Sequence, residues 1–191
     1  MLDCGSEKSL KQDSPANNHS KFQKQVRGDQ TMSINRTVVT GGYVITMDDQ
    51  LGDLPSGAVL MENNRIVAVA ANADEFAGVD AQMIDADGGI VLPGMVDSHR
   101  HTWMSFFRSI SADDSLPEFL VNTFYGLGAL VRAEDIGAAT MVGALEAIDS
   151  GVTTIMDCCD CVNSPDHATA AVASLQASGI RGGLCLWDAS L

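Results

Sequence analysis

A length of 191 residues allows one domain, or one domain and part of a second, and an apolar fraction of 46% is enough for a hydrophobic core. A formal net charge of −14, from 25 acidic and 11 basic side chains, produces a surface that repels phosphate groups, so nucleic-acid binding and docking on anionic membranes are not expected. No apolar run approaches the roughly 20 residues of a membrane span.

Residues 1–32 are polar, lack hydrophobic periodicity and contain no apolar stretch of the kind found in a secretory signal. We expect this leader to be disordered. Five cysteines, an odd number, in a chain without an export signal are typical of reduced thiols. The prediction is a cytoplasmic protein.

Residues 33–92 contain six short apolar segments that are separated by turn residues. These predicted strands are 38–40, 43–47, 58–62, 65–69, 83–86 and 90–92. We expect the first two to pair across Gly41-Gly42. The third and fourth predict a hairpin, because Asn63-Asn64 between them tolerates the positive φ of a tight turn. Strands of this length and spacing predict a small β-sandwich or barrel.

After Pro93-Gly94 the pattern changes to alternating strands and helices. Strands are predicted at 95–97, 152–156 and 182–187, and helices at 115–130, 133–149 and 164–179. Ser115 and Glu118 form a capping box at the start of the first helix. Repeated β-α units of this size predict a parallel sheet or a (β/α) barrel over residues 93–191.

The apolar positions of the second helix recur every three residues and predict its buried face. They are Ile136, Ala139, Val142, Leu145 and Ile148.

Two histidines, His99 and His101, stand at the end of the first strand of this region. Side chains alternate along a strand, so both imidazoles point the same way and Arg100 between them points away, where we expect it to pair with a carboxylate. Two imidazoles converging at a strand end are half of a metal site. The alternative is a pair of histidines bonded to backbone or carboxylate groups.

Several neighbours have two interpretations each. Asp97 shares the strand face of His99, where it either orients an imidazole as an outer acceptor or makes an ordinary structural hydrogen bond. Trp103, Phe106 and Phe107 follow directly and either wall a flat substrate pocket or pack as an ordinary loop.

A cluster of cysteines, Cys158, Cys159 and Cys161, follows the second strand. Cys159 and Cys161 could share a face and complete a Cys2His2 zinc site with the two histidines. The alternative is that they are small buried hydrophobes. Of the other histidines, His19 lies in the leader, and His167, near the start of a helix, is expected to be a surface or helix-terminal residue.

The segment from Pro93 to His101 resembles the signature of the amidohydrolase superfamily of metal-dependent hydrolases. The resemblance includes the β-rich residues that precede it and the passage from Asp149 to Thr154. Arg100 and Thr102-Trp103 are most similar to the branch that holds cytosine deaminase and the s-triazine hydrolases. In this family a histidine often stands near the position of Asp160, and a tryptophan near that of Cys158, so the sequence departs from the pattern there.

The resemblance implies a (β/α)8 barrel accompanied by a small β-sandwich, with one or two divalent ions at the carboxyl ends of the strands. His99 and His101 match the first two ligands, with zinc favoured and iron as the alternative. The implied reaction is hydrolysis of a carbon–nitrogen bond other than a peptide bond, in a small heterocyclic or amidine substrate, by a metal-activated water.

The family's other ligands and its acid–base groups come from later strands, so the resemblance places the catalytic residues beyond residue 191. Residues 93–191 then correspond to about three β-α units, and residues 33–92 to an incomplete sandwich. We therefore expect a fragment with little activity alone. The alternatives are a degenerate, non-catalytic member that serves as a binding or oligomerisation module, paired with itself or a full-length paralogue, and a small Cys/His metal-binding protein.

Overall fold

The computed structural model describes residues 35–186. The predicted disordered leader and Trp187 of the last predicted strand lie outside the described residues. The described residues divide into two compact units, one comprising residues 35–44 and 53–91, and the other residues 45–52 and 92–186. No helix in the described part of the chain is long and apolar enough to cross a membrane.

The described part of the first unit is built from six short strands. They are β1 Arg36–Thr40, β2 Tyr43–Val44, β3 Ala58–Glu62, β4 Arg65–Ala70, β5 Gln82–Asp85 and β6 Ile90–Val91, with a single 3₁₀ turn at Ala73–Phe76. Four strands form one sheet in the order β4-β3-β1-β5, and β2 pairs with β6 in a second, two-stranded sheet.

The hairpin predicted around Asn63-Asn64 is confirmed. β3 and β4 are antiparallel, and Glu62 lies opposite Arg65 at the turn. Asn63 has a φ of 54°, a left-handed conformation that asparagine adopts more readily than most residues. The turn chemistry of two residues therefore determined this pairing.

The predicted pairing of the first two strands is wrong. β1 lies between β3 and β5, whereas β2 pairs in parallel with β6. The predicted strand 43–47 also ends early, at Val44. The Thr46 hydroxyl donates to the carbonyl of Gly52 at 2.8 Å, and Met47 has a φ of 56°, so local hydrogen bonding turns the chain out of the sheet.

The second unit alternates strands and helices as predicted. Its strands are β7 Met95–Arg100, β8 Val152–Cys159 and β9 Arg181–Leu186, and its α-helices are α1 Leu116–Phe119, α2 Ala133–Asp149 and α3 Pro165–Ser178. The strands are parallel and adjacent in the order β7-β8-β9. Parallel neighbours require a long crossover connection, which the helices supply.

The helix predicted at 115–130 is present but not regular. After α1 the chain continues as a π-helical segment, Leu120–Leu127, and a 3₁₀ turn, Gly128–Leu130. Its predicted start is confirmed, because Glu118 Oε2 accepts from the backbone nitrogen of Ser115 at 2.8 Å.

The buried face of α2 differs from the predicted one. Val142 and Leu145 are 56% and 50% exposed. The buried residues are mostly small: Ile136, Ala139, Thr140, Gly143, Ala144 and Ala147. A Cβ at Gly143 would lie 2.7 Å from Ser105 Oγ and 3.0 Å from Thr102 Cβ. Small side chains therefore let a 3₁₀ segment, Thr102–Phe107, pack directly on this helix.

Candidate metal centre

The two predicted ligands meet at the carboxyl end of β7. The Nε2 atoms of His99 and His101 are 3.0 Å apart, and their rings are nearly perpendicular, with centroids 4.7 Å apart. β7 ends at Arg100, so His101 is the first residue beyond it. The pairing of β7 with β8 shifts register between Asp97 and Arg100. Such irregularities change the direction of side chains, and this register shift lies at the segment that contains His99.

Contacts at Nδ1 fix the orientation of the His101 ring. Its Nδ1 atom lies 2.8 Å from the carbonyl oxygen of Cys158 and 2.6 Å from Oδ2 of Asp160. Both neighbours are acceptors, and this arrangement favours the tautomer with the proton on Nδ1 and the lone pair on Nε2. Nε2 is therefore the nitrogen that can bind a metal. His99 Nδ1 lies 3.5 Å from the sulfur of Cys158.

A buried carboxylate anchors the segment that follows His101. Asp157 is fully buried and accepts from the backbone nitrogen of Thr102 at 2.9 Å and from its hydroxyl at 2.6 Å. The Thr102 hydroxyl also lies 3.2 Å from that of Thr140 on α2. Burial raises the pKa of Asp157 despite these hydrogen bonds. The network ties β7, β8 and α2 together directly behind the histidine pair.

The predicted orientation of Arg100 is confirmed. Its guanidinium pairs with Glu146 on α2 at 3.3 Å and with Asp97 at 3.5 Å. Glu146 also pairs with Arg108. The carboxylate of Asp97 accepts from the backbone nitrogen of His99 at 3.2 Å. The described contacts of Asp97 are thus structural, and the carboxylate on an imidazole ring is that of Asp160.

The three aromatic residues have three different environments. Trp103 is 1% exposed and packs in a cluster with Ile136 and Cys159, so its ring belongs to the core and is not open to a ligand here. Phe106 is 56% exposed. Phe107 is half-buried, contacts Trp103 edge to face and lines a cavity of about 320 Å³ together with Phe119.

The cysteine cluster does not join the histidines as the Cys2His2 hypothesis requires. Cys159 and Cys161 are buried in the same core cluster as Trp103, and the Cys161 thiol donates to the carbonyl of Gly128 at 2.9 Å. The sulfur beside the histidines is that of Cys158, which lies opposite Cys185 on β9. Within residues 35–186 no group of three or more His, Cys, Asp or Glu side chains is arranged to hold an ion.

Alkylation should distinguish the buried thiols of Cys159 and Cys161 from the exposed thiol of Cys185. Burial raises the pKa of Cys159 to about 12 and that of Cys161 to about 11, so neither forms a thiolate at about pH 8. We expect iodoacetamide to modify the exposed Cys185 in the native protein and to leave Cys159 and Cys161 unmodified, as measured by peptide mass spectrometry. In urea all three should react. Native-state labelling of Cys159 or Cys161 would contradict the packing described here.

Of the two predicted positions for His167, at the surface or at a helix terminus, the second is confirmed, because the residue lies buried in the first turn of α3. His167 is 7% exposed, and its two ring nitrogens contact Ser164 Oγ at 2.8 Å and the carbonyl of Val131 at 2.9 Å. Both nitrogens are occupied by structural hydrogen bonds, so this residue has none left for an ion.

The histidine pair fits a divalent ion as part of a site. Two nitrogens bound to one tetrahedral zinc at about 2.1 Å are about 3.4 Å apart, close to the separation of the two Nε2 atoms. Histidine ligands characteristically donate their other ring N–H to a carbonyl or carboxylate, as His101 does. His99 and His101 therefore have the chemistry and the geometry of two metal ligands.

Sequence reasoning missed Asp157 and Asp160 as parts of this site. Both lie at the carboxyl end of β8, which neighbours the strand that carries the histidines. The place of these aspartates at the end of a predicted strand was the available signal in the sequence, because the carboxyl ends of adjacent parallel strands converge at one edge of a sheet. The cysteines in the same segment favour sulfur ligands when the sequence is considered alone.

The chain is similar in sequence to proteins named as deaminases of adenosine derivatives. 5'-Deoxyadenosine deaminase of Methanosarcina acetivorans is 33% identical over 151 residues, which are 79% of this chain and 34% of that protein. 5-Methylthioadenosine/S-adenosylhomocysteine deaminase of Symbiobacterium thermophilum is 36% identical over 151 residues, 78% of this chain and 33% of that protein. The chain spans about a third of the length of these relatives.

Solved structures show the same mixed α/β fold. Atrazine chlorohydrolase from Arthrobacter aurescens, in complex with zinc, superposes with a TM-score of 0.70 at 23% identity, over 81% of this chain and 36% of that one. The model of the Amidohydrolase family matches residues 90–185, which include both histidines, β7, β8 and all but the last residue of β9. The chain belongs to the amidohydrolase family.

Proposed function

We propose that this chain supplies the first two metal ligands of a zinc-dependent aminohydrolase. The single observation that carries the proposal is the convergence of the two Nε2 atoms at 3.0 Å, at the carboxyl end of a parallel strand. The relatives named as deaminases of adenosine derivatives support an adenine-bearing nucleoside as the first substrate class to test. Iron is the alternative metal. The parallel strands β7, β8 and β9 correspond in this proposal to the beginning of a (β/α)8 barrel.

A bound divalent ion supplies a water whose pKa is lowered to about 7 and polarises the carbon that is attacked. The reaction adds the elements of water to the aminated ring carbon, breaks the carbon–nitrogen bond and releases ammonia. The residues of this chain hold the ligands in place: the carbonyl of Cys158 fixes the ring of His101, and Asp157 anchors Thr102 next to it. Arg100 faces α2 and ties the strand end to that helix.

Metal binding by the 191-residue chain tests the proposal. We expect the chain to bind zinc with a stoichiometry of one, and H101A to weaken this affinity by at least about 100-fold, because a single remaining imidazole cannot chelate the ion. Competition against a chromogenic chelator measures the affinity. The matched control is H167Q, whose imidazole contacts only Ser164 and a backbone carbonyl among its described neighbours, and which should bind like the wild type.

Equal zinc affinity of the wild type and H101A would contradict the proposal. Ammonia release from 5'-deoxyadenosine is measured in the same samples. We expect little turnover from the chain alone, because residues 35–186 contain no third side chain arranged to join the two histidines on an ion.

A further inference from the structure

Asp160 is a buried carboxylate in an unusual environment. It follows β8 directly, and its side chain is only 2% exposed. Among the described residues neither of its oxygens completes a hydrogen bond of good geometry, although Oδ2 lies 2.6 Å from Nδ1 of His101. Burial of a carboxylate is costly unless a positive group or hydrogen-bond donors compensate it. A neighbouring group therefore has to compensate the charge of the Asp160 carboxylate.

Among residues 35–186, the ring of His101 is the group able to carry positive charge that contacts this carboxylate. The neighbouring Asp157 is itself a carboxylate, and its oxygens are already occupied by Thr102. Arg100 is directed to Asp97 and Glu146. A metal ion on Nε2 of His101 places partial positive charge on this ring and makes its Nδ1–H a stronger donor. The buried carboxylate then has the partner that it lacks.

Asp160 itself is not placed to be a ligand of that ion. The two nitrogens of an imidazole point away from each other, and Asp160 lies at Nδ1, whereas His99 lies at Nε2. Its position is that of the carboxylate in a carboxylate–histidine–metal arrangement. The neutral carbonyl of Cys158, 2.8 Å from the same Nδ1, orients the ring but supplies no formal charge.

We propose that Asp160 is a positioning residue for metal binding, which acts through His101. It holds the ring with Nε2 directed toward His99 and balances the charge that the ion places on the imidazole. The proposal rests on the function proposed above for the histidine pair. It adds a residue for which neither the spacing of the histidines nor the family pattern provides a role.

Zinc affinity of D160N provides the first test. Asparagine keeps the size of the side chain and removes its charge, so we expect an affinity about 10–100-fold weaker than that of the wild type. The control is D166N, which removes the same charge from an exposed position six residues along the chain and should change affinity less than about twofold. Circular dichroism establishes that both variants are folded. Equal affinity of D160N and the wild type would overturn the proposal.

A second measurement needs no metal. In the ¹⁵N-histidine-labelled, metal-free chain, long-range ¹H–¹⁵N correlation spectra report which nitrogen of His101 is protonated. We expect Nδ1–H in the wild type, with its proton resonance shifted downfield by the carboxylate, and an upfield move of that resonance in D160N, because a neutral amide is a weaker acceptor. A purely packing role for Asp160 would leave the resonance in place.

The two readouts separate the two proposals. Absence of zinc binding by the wild type would contradict the proposed function, and the resonance of His101 would still decide the role of Asp160. If D160N does not fold, the wild-type spectrum still tests the proposal, because a His101 ring protonated at Nε2 overturns it.

Discussion

Replacing Trp103 with alanine is expected to lower the free energy of unfolding by about 3–5 kcal/mol. The indole is 1% exposed and makes edge-to-face contacts with Phe107 and Phe124, at centroid distances of 5.6 and 5.4 Å. Truncation removes these contacts and leaves a cavity between α2, β8 and the 3₁₀ segment. Urea unfolding monitored by circular dichroism measures the loss.

The control lies three residues away in the same segment. Phe106 is 56% exposed, so F106A should change the free energy of unfolding by no more than about 0.5 kcal/mol. The indole Nε1 is buried without a hydrogen-bond partner among the described residues. W103F removes this unsatisfied donor and keeps an aromatic ring, so it should cost clearly less than W103A. Equal effects of W103A and F106A would show that Trp103 is not a core residue.

Replacing Asp157 is expected to have the second largest effect. In D157A the buried backbone nitrogen of Thr102 loses its acceptor, and the Thr102 hydroxyl keeps only the longer contact to Thr140. An unsatisfied buried donor costs about 1–3 kcal/mol, and the missing side chain leaves a small cavity as well. Urea unfolding measures this loss. D149N, at an exposed position on α2, is the control for removal of a negative charge and should be nearly neutral.

The pH dependence of stability should identify the same residue. Burial raises the pKa of Asp157 in the folded protein, so folding favours the protonated form. This contribution is fully present below the unfolded pKa of about 4 and is lost as the pH rises through the folded pKa. The unfolding free energy of the wild type, relative to that of D157N, should therefore decline as the pH rises above about 4. If the unfolding free energy of the wild type rises with pH relative to that of D157N, the hydrogen bonds from Thr102 have a larger effect on the pKa of Asp157 than burial has.

Several features were predictable because their causes are local. The capping box at Ser115, the turn at Asn63-Asn64 and the alternation of strands and helices after Pro93 all depend on residues close together in the chain. The convergence of His99 and His101 also follows from the two-residue period of a strand, although the register shift in β7 contributes to it.

Other features depend on which elements become neighbours. The pairing of β1 with β5, at a separation of more than 40 residues, has no local signal. The buried face of α2 is turned toward its small residues because the segment behind His101 packs there and leaves no room for a Cβ at Gly143. Periodicity alone identified Ile136 and Ala139 correctly but placed the exposed Val142 and Leu145 inside.

The sequence by itself therefore determined the family and the two histidines, because a strand's period places those imidazoles on one side wherever the strand lies. Only the tertiary structure decided what surrounds them. The pairing of β8 beside β7 brings Cys158, Asp157 and Asp160 to the histidines and leaves Cys159 and Cys161 in the core. These residues are more than 50 positions from His101 in the chain, so only the packing of parallel strands makes them part of one site.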